Sequence, residues 1–138
     1  MLTLTSLIVN GTPEKFPGLN FIMLEAGLGW VPYMMYRLNK ECSIRRAEVP
    51  LLEKSPEEYI RDQFSFATQP IGEPNNQVHM EQIIDMVGPE SLLFASDYPH
   101  WDFDHPDALD KHLQSNVPKE GRKKVLSGNA AELFDLDI

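Results

Sequence analysis

The most constraining feature of this sequence is a short apolar run at residues 92–95 that changes abruptly to polar residues at Ser96 and Asp97. A continuous apolar run with turn residues on both sides predicts a strand buried on both faces, as in a parallel sheet. We place this strand at residues 92–96. Asp97 follows its carboxyl end, where barrels and open α/β sheets carry their active sites. The alternative is that Asp97 only caps the next turn, as aspartate often does.

Two further strand-like runs precede this one. Residues 21–24 are continuously apolar and are followed by Glu25, and residues 64–67, Phe-Ser-Phe-Ala, form a brief and mainly apolar run. Apolar residues at helical spacing follow each of them, in residues 31–38 and 78–87. Strands that alternate with helices predict a parallel sheet with crossover helices, so the expected fold class is α/β.

Turn and capping signals complete the prediction before the third strand. Ser55, Pro56 and Glu58 predict a capping-box start of a short helix. Residues 40–55 lack a clear apolar period, so we predict a loop there. Residues 1–10 are apolar but fit neither the helical nor the strand period.

Several helices are predicted after the third strand. Asp104 as cap and Pro106 as first residue predict one helix, and Pro118 opens another that ends near residue 127. Asn129 with Glu132 predicts a capping-box start of the last helix.

Charge and composition limit the partners that this chain can have. The net charge is -9, with five basic and three acidic residues in residues 1–46 but seven and 18 in residues 47–138. Such a chain is poorly suited to nucleic acid and to anionic membranes, which both select basic patches. Cys42 is the only cysteine, so no intrachain disulfide forms. No signal peptide or transmembrane-length run is present, and we expect a cytoplasmic protein.

Three motifs in order resemble one known family. Residues 94–100, Phe-Ala-Ser-Asp-Tyr-Pro-His, are similar to the last-strand motif of the amidohydrolase-related family. This family belongs to the metal-dependent amidohydrolase superfamily and includes enzymes similar to aminocarboxymuconate-semialdehyde decarboxylase. Residues 16–32 and 128–134 are similar to two further motifs, at about the family's spacing. The resemblance points to the family but not to a substrate.

The resemblance implies a (β/α)8 barrel of the TIM type, with the three predicted strands as its last three. Such a barrel takes about 250 residues, whereas this chain has 138. We therefore expect residues 1–138 to be the C-terminal part of an amidohydrolase-like barrel domain, with the N-terminal half absent. The abruptly apolar start of the chain agrees with this expectation. Truncation, a split gene and the choice of expressed segment all remain open as causes.

The resemblance also implies one divalent metal, usually zinc, held by a His-x-His pair on the first strand, a further histidine and the last-strand aspartate. Asp97 matches the aspartate, but the chain contains no His-x-His. In the family pattern, a metal-activated water attacks a carbonyl carbon, and Asp97 would be both metal ligand and proton carrier. The alternatives are a nonoxidative decarboxylase on the same scaffold and a noncatalytic half-barrel remnant.

Two more residues are candidate catalytic groups. Glu25 stands where some decarboxylases of the family carry a catalytic histidine followed by glycines. It can act as a general base or orient another group, or it can be a structural partner of an arginine. His100 lies three residues after Asp97, and we expect it to contact the substrate or a neighbouring site residue.

Aromatic residues near the strand ends suggest a substrate pocket. We expect Trp30, Tyr98 and Trp101 to line it, with ordinary burial as the alternative for the large aromatics. The family resemblance implies a small-molecule substrate with a carbonyl or carboxylate group. Three strands also leave an exposed sheet edge, which predicts a homo-oligomer or association with the missing half.

Overall fold

A three-stranded parallel sheet lies at the centre of the chain. The computed structural model describes the segments 1–72, 74–114 and 117–137. The strands are β1 (Phe21–Met23), β2 (Phe64–Ala67) and β3 (Leu92–Leu93), in the order β1-β2-β3. Both pairings are parallel, so the predicted α/β class with three adjacent parallel strands is confirmed.

Helices connect the strands and follow the last one. They are α1 (Leu2–Val9), α2 (Thr12–Lys15), α3 (Val31–Ile44), α4 (Pro56–Gln63), α5 (Gln77–Val87), α6 (Pro106–Leu113), α7 (Lys119–Lys123) and α8 (Asn129–Phe134). Short 3₁₀ turns occupy Arg46–Glu48 and Pro89–Ser91, and a π-helical turn occupies Lys124–Gly128. Within the described segments, none of these helices has the length and apolar character needed to cross a bilayer.

The core lies between the sheet and its crossover helices. Phe21 pairs with Phe64, and Phe66 pairs with Leu92, so these side chains share the helix-facing side of the sheet. The rings of Phe21 and Phe64 stack with centroids 4.8 Å apart. Phe64, Phe66 and Leu92 are almost fully buried, and each such side chain contributes about 1.5–3 kcal/mol of burial free energy.

Local capping interactions begin two of the helices, and the one at Ser55 was predicted. At α4, the N–H of Glu58 donates to Ser55 Oγ (3.3 Å), and the N–H of Ser55 donates to Glu58 Oε2 (2.8 Å). At α5, Asn76 Oδ1 accepts from the N–H of Val78 at 3.1 Å. That helix ends at Gly88, whose φ of 95° favours glycine.

The third strand is shorter than residues 92–96. Its ladder to β2 ends at Leu93, whose carbonyl accepts from the N–H of Thr68 at 2.9 Å. The next residue leaves the sheet, because the N–H of Phe94 donates to the carbonyl of Val125 in the π-helical turn at 3.0 Å. The amide of Asn129 donates to the carbonyl of Leu92 at 2.8 Å. The C-terminal helices therefore cover the outer edge of β3.

The N-terminal third contains helical structure at two places where the sequence did not predict it. Residues 2–9 form a helix, α1, in which Leu4 and Ile8 are fully buried one turn apart. Residues 40–44 belong to α3 rather than to a loop. Glu41 stabilises this last turn through ion pairs with Arg37 (2.8 Å) and Arg45 (3.6 Å), spaced four residues to either side.

Two capping predictions after the third strand were wrong. The cap of α6 is His105, whose Nδ1 accepts from the N–H of Asp107 at 3.2 Å, rather than Asp104. Asn129 does not start a new helix, because Gly128 before it is already helical, with φ of -62°. The π-helical turn joins α7 to α8 without a break, and this continuity frees the Asn129 side chain to reach β3.

Candidate active site at the carboxyl edge of the sheet

The predicted catalytic residues follow strands that point the same way. Glu25 lies two residues after β1, Thr68 and Gln69 come directly after β2, and Asp97 lies four residues after β3. Because all three strands are parallel, the loops that carry these residues leave the same edge of the sheet. We call this edge the carboxyl edge.

Both predicted carboxylates have a backbone conformation that is rare for residues other than glycine. The φ angle is 51° at Glu25 and 58° at Asp97. Among the described residues, the only other non-glycine with positive φ is Asp135, at the end of α8. Such a conformation costs most side chains roughly 1–2 kcal/mol, and aspartate less, and residues held in it cluster at functional sites. This conformation at both carboxylates makes the carboxyl edge a candidate functional site.

Asp97 and His100 form an acid–base pair at this edge. His100 Nδ1 lies 3.5 Å from Asp97 Oδ2, and the N–H of His100 donates to the Asp97 carbonyl at 2.8 Å. The side-chain separation is longer than a strong hydrogen bond but short enough for an ion pair when the imidazole is protonated. The Asp97 side chain is 27% exposed, so its carboxylate is accessible from the edge.

The loop after β3 is held in place by the loop after β2. Asp104 closes the loop after β3, because its N–H donates to the Ser96 carbonyl at 2.9 Å. Its Oδ2 accepts from the N–H of Ile71 at 2.8 Å. The amide of Gln69 donates to the Asp102 carbonyl at 3.0 Å. These bonds fix the position of the segment that carries Asp97 and His100.

Two residues that hold the loop after β3 in place were not predicted from the sequence. Thr68 and Gln69 are both almost fully buried, and Thr68 Oγ1 accepts from the N–H of Ala95 at 3.3 Å. Their signal was available, because they are the first polar residues after the second strand. Glu25 and Asp97 were selected because they follow the carboxyl ends of strands, and Thr68 and Gln69 do so as well.

The loop after β1 is braced by a tryptophan. Trp30 Nε1 donates to the Ala26 carbonyl at 2.8 Å, and its ring packs edge-on against Phe66 with centroids 6.0 Å apart. Gly27 has φ of 66°, and an added Cβ there would lie 3.2 Å from the Pro70 carbonyl. Trp30 therefore stabilises the turn that carries Glu25. Its place in a substrate pocket stays a prediction.

Exposed aromatic rings surround the Asp97–His100 pair. Tyr98 and Trp101 are both largely exposed. The Tyr98 ring meets Phe103 edge-on at 5.7 Å between centroids, and the Trp101 ring lies 5.7 Å from the His100 imidazole. These rings provide an apolar surface beside two polar groups, which is a common composition of small-molecule sites.

The described residues of this chain do not fit a complete metal site. They contain no group of three or more histidine, cysteine, aspartate or glutamate side chains placed to hold an ion, whereas catalytic zinc takes three protein ligands. His105 caps α6, and His79 lies in α5. The side chain of His112 lies outside the described part. At the carboxyl edge, the chain offers Asp97 as a single carboxylate ligand beside His100.

A cavity of about 390 Å³ lies at the other end of the sheet. Residues around the start of each strand line it, among them Asn20, Phe64 and Ser91. It is therefore separate from the loops that carry the candidate catalytic residues.

Comparison with known proteins finds several decarboxylases of aromatic acids among the proteins that this chain resembles. It is 28% identical over 129 residues to the 6-methylsalicylic acid decarboxylase of Penicillium expansum, covering 93% of this chain and 38% of that protein. The structure of 2,6-dihydroxybenzoate decarboxylase from Rhizobium matches with a TM-score of 0.66 and 25% identity, covering 97% of this chain and 40% of that one.

A further match shows the same fold. The structure of dihydroxybenzoic acid decarboxylase from Polaromonas sp. JS666, with bound manganese and the inhibitor 2-nitroresorcinol, has a TM-score of 0.73 and 24% identity. The match covers 97% of this chain and 39% of that one. This chain thus spans about two fifths of the length of these relatives, and its fold is part of a TIM-type barrel. The family model of the amidohydrolases matches residues 1–136, and the chain therefore belongs to the amidohydrolase family.

Proposed function

We propose that this chain forms the aspartate-bearing wall of the active site in a divalent-metal-dependent decarboxylase of hydroxylated aromatic acids. The observation that carries the proposal is the Asp97–His100 pair, held on a strained turn at the carboxyl edge. Relatives that decarboxylate 6-methylsalicylic acid and 2,6-dihydroxybenzoate support the choice of reaction and substrate class.

Asp97 is the residue of this chain that would bind the metal. A bound divalent ion supplies positive charge that holds and polarises the oxygens of the substrate. The Polaromonas relative contains manganese, and the family pattern favours zinc. The remaining ligands are proposed to come from polypeptide beyond these 138 residues, since the chain spans only about two fifths of its relatives.

The acid–base pair has a specific task in such a reaction. When the bond between the aromatic ring and the carboxylate breaks, carbon dioxide leaves and the ring carbon gains one proton. The side chains of Asp97 and His100 lie 3.5 Å apart, beyond the roughly 2.6–3.2 Å of direct proton transfer, so one bridging water would complete the path by which the pair supplies this proton to the ring. The exposed Trp101 beside His100 offers a flat surface against which an aromatic substrate can stack.

Hydrolysis of a carbonyl compound is the second candidate. Glu25 favours it, because this carboxylate stands where some decarboxylases of the family carry a catalytic histidine. Glu25 is exposed and makes no ion pair with any described residue, so no arginine holds it in a purely structural role. A carboxylate at this place suits a general base that activates water.

A chimeric enzyme tests the proposal. Residues 1–138 replace the matching 38% of the Penicillium expansum enzyme, and metal content and carbon dioxide release from 6-methylsalicylate are measured. We expect one divalent ion per chain and release of carbon dioxide without oxygen. Asp97→Asn in the chimera should lower turnover roughly a hundredfold or more, the usual scale for loss of a general acid or base.

The matched variant Glu25→His separates the two reactions. It restores the histidine that the family resemblance associates with decarboxylation, so it should raise carbon dioxide release if the decarboxylase proposal is correct. A folded, metal-loaded chimera that hydrolyses a phenyl ester but releases no carbon dioxide, with or without Glu25→His, would favour hydrolysis. A folded chimera with neither activity would favour the noncatalytic remnant.

A further inference from the structure

Of the three loops at the carboxyl edge, the one after β2 lies between the two that carry the candidate carboxylates. We call residues 68–71 the middle loop. Thr68, Gln69 and Ile71 are buried, and the Ile71 side chain belongs to the hydrophobic core. The middle loop reads Thr-Gln-Pro-Ile and has no ionisable side chain, so it supplies neither an acid nor a base. Its buried position suits support of the two neighbouring loops.

One peptide group of the middle loop contacts both neighbouring loops. It is the peptide between Pro70 and Ile71. Its N–H donates to Asp104 Oδ2, in the loop after β3, at 2.8 Å. Its carbonyl oxygen lies close to Gly27, in the loop after β1, where an added Cβ would be 3.2 Å away. Because a trans peptide group is planar, with its N–H and C=O on opposite sides, a bond that fixes the N–H also fixes the carbonyl.

Asp104 connects this peptide group to the segment that carries Asp97. The N–H of Asp104 donates to the Ser96 carbonyl at 2.9 Å, and Ser96 directly precedes Asp97. On the other side of the peptide, Gly27 lies two residues after Glu25. Among the residues that the structure describes, no hydrogen bond joins the loop after β1 directly to the loop after β3. The positions of the two carboxylates are therefore related through the middle loop.

We propose that Asp104 is a positioning residue, which holds the peptide group between Pro70 and Ile71 so that Asp97 and Glu25 keep a fixed separation across the carboxyl edge. The task needs an acceptor oxygen at this place and not a negative charge, because the donor is a neutral N–H. The consequence for metal binding rests on the proposed function, whereas the coupling between the loops does not.

Three substitutions in the 138-residue chain test the role of Asp104. Asp104→Ala removes the acceptor of the Ile71 N–H, whereas Asp104→Asn keeps an acceptor oxygen and removes only the charge. Asp102→Ala is the matched control, because it removes the same charge from an exposed side chain of the same loop. It leaves the bond from the Gln69 amide to the Asp102 carbonyl in place. Circular dichroism checks that each variant is folded.

The indole N–H of Trp30 reports on the loop after β1. It donates to the carbonyl of Ala26, next to Gly27, at 2.8 Å. Its chemical shift and its hydrogen exchange are measured by NMR. We expect Asp104→Ala to move this signal and to speed its exchange roughly tenfold or more, the scale of losing one hydrogen bond to a group away from water. Asp104→Asn and Asp102→Ala should leave the signal unchanged.

Changes confined to the Ile71 amide and the loop after β3 would overturn the proposal, because Asp104 would then stabilise only its own surroundings. An equal effect of Asp102→Ala or of Asp104→Asn on the Trp30 signal would overturn it as well. Gly27→Ala acts on the same peptide group from the other side and should speed exchange of the Ile71 amide. This variant decides the question if Asp104→Ala does not fold, and an unchanged Ile71 amide in it would contradict the coupling.

Manganese binding to the chimera with the Penicillium expansum enzyme tests the consequence for Asp97. Asp104→Ala should raise the dissociation constant for manganese roughly ten- to a hundredfold, the usual cost of losing a residue that orients a metal ligand, and Asp104→Asn should not. Unchanged affinity in Asp104→Ala would overturn the positioning of Asp97. A chimera that binds no manganese, in a protein whose Trp30 signal still responds to Asp104→Ala, would contradict the proposed function and support the coupling.

Discussion

The aspartate at position 97 stands in a left-handed backbone conformation, with φ of 58°. Asparagine and aspartate tolerate this conformation better than other residues with a side chain. We expect Asp97→Asn to change the free energy of unfolding by less than about 0.5 kcal/mol, whereas Asp97→Ala should lose roughly 1–2 kcal/mol. Urea unfolding of both variants measures the difference. Equal losses in the two would mean that the carboxylate itself stabilises the fold.

A buried tyrosine ties the loop before α4 to the N-terminal helices. Tyr59 Oη accepts from the N–H groups of Glu53 (2.9 Å) and Lys54 (3.1 Å), and its hydroxyl donates to Glu14. Tyr59→Phe leaves these partners without their bonds, so we expect a loss of about 1–3 kcal/mol in chemical unfolding. Tyr36 is exposed, and Tyr36→Phe is the control with little expected effect.

The same tyrosine makes stability depend on alkaline pH. Burial raises the pKa of Tyr59, and the hydrogen bond to Glu14 raises it further. In the unfolded chain the phenol ionises near pH 10, so above that pH the folded state binds more protons than the unfolded state. Stability is therefore complete below about pH 10 and is lost as the pH rises toward the folded pKa. This loss should be smaller in Tyr59→Phe. If the free energy of unfolding fell equally steeply with pH in both proteins between pH 9.5 and 11, Tyr59 would not be the cause of the loss.

At the scale of elements, one side chain links the last helix to the sheet. The amide of Asn129 donates to the carbonyls of Pro89 (2.7 Å) and Leu92 (2.8 Å). We expect Asn129→Ala to lose about 1–3 kcal/mol, because a buried acceptor at Leu92 and a partly buried one at Pro89 lose their donor. Asn129→Asp should lose more, because it sets a carboxylate against two carbonyl oxygens. Ser127→Ala is the control, because Ser127 is only partly buried and its hydroxyl makes a single long bond, 3.4 Å, to the Lys123 carbonyl one turn earlier. If its loss matched that of Asn129→Ala, the link to β3 would carry no stability.

Whether an element could be predicted from the sequence depends on how far along the chain its hydrogen-bond partners lie. The capping box at Ser55 was predictable because its partners lie within three residues. The end of β3 was not predictable, because Val125, about thirty residues away, takes the Phe94 amide out of the sheet. Asn129 carries a valid local capping signal, but its bonds to β3 and the continuous helix before it override that signal.

At the scale of the whole molecule, the position of the candidate site could be predicted from the sequence, but the hydrogen bonds that hold its loops in place could not. A parallel sheet brings the residues after its strands to one edge, which placed Glu25 and Asp97 correctly at the same end. The bonds from Gln69 and Ile71 to the Asp102–Asp104 segment span 33 residues and depend on how two loops meet. No local sequence pattern predicts such a meeting.

The incomplete ligand set at the carboxyl edge leads to a prediction for the chain as a whole. A ligand present at a thousandfold excess over its dissociation constant stabilises a fold by about 4 kcal/mol, which for a chain of this size raises the melting temperature by roughly 10 °C or more. The described residues hold no group of three metal ligands. We therefore expect 1 mM manganese or zinc to raise the melting temperature by less than about 1 °C relative to EDTA, as measured by calorimetry.

Asp97→Asn under the same conditions is the control for this prediction, because it removes the one carboxylate assigned to the metal and should respond as weakly as the unmodified chain. A rise of several degrees in the unmodified chain that disappears in Asp97→Asn would contradict the expectation. In that case Asp97 and its neighbours, in one copy or in a pair of copies, would already form a high-affinity site. A rise of the same size in both proteins would instead place metal binding away from the carboxyl edge.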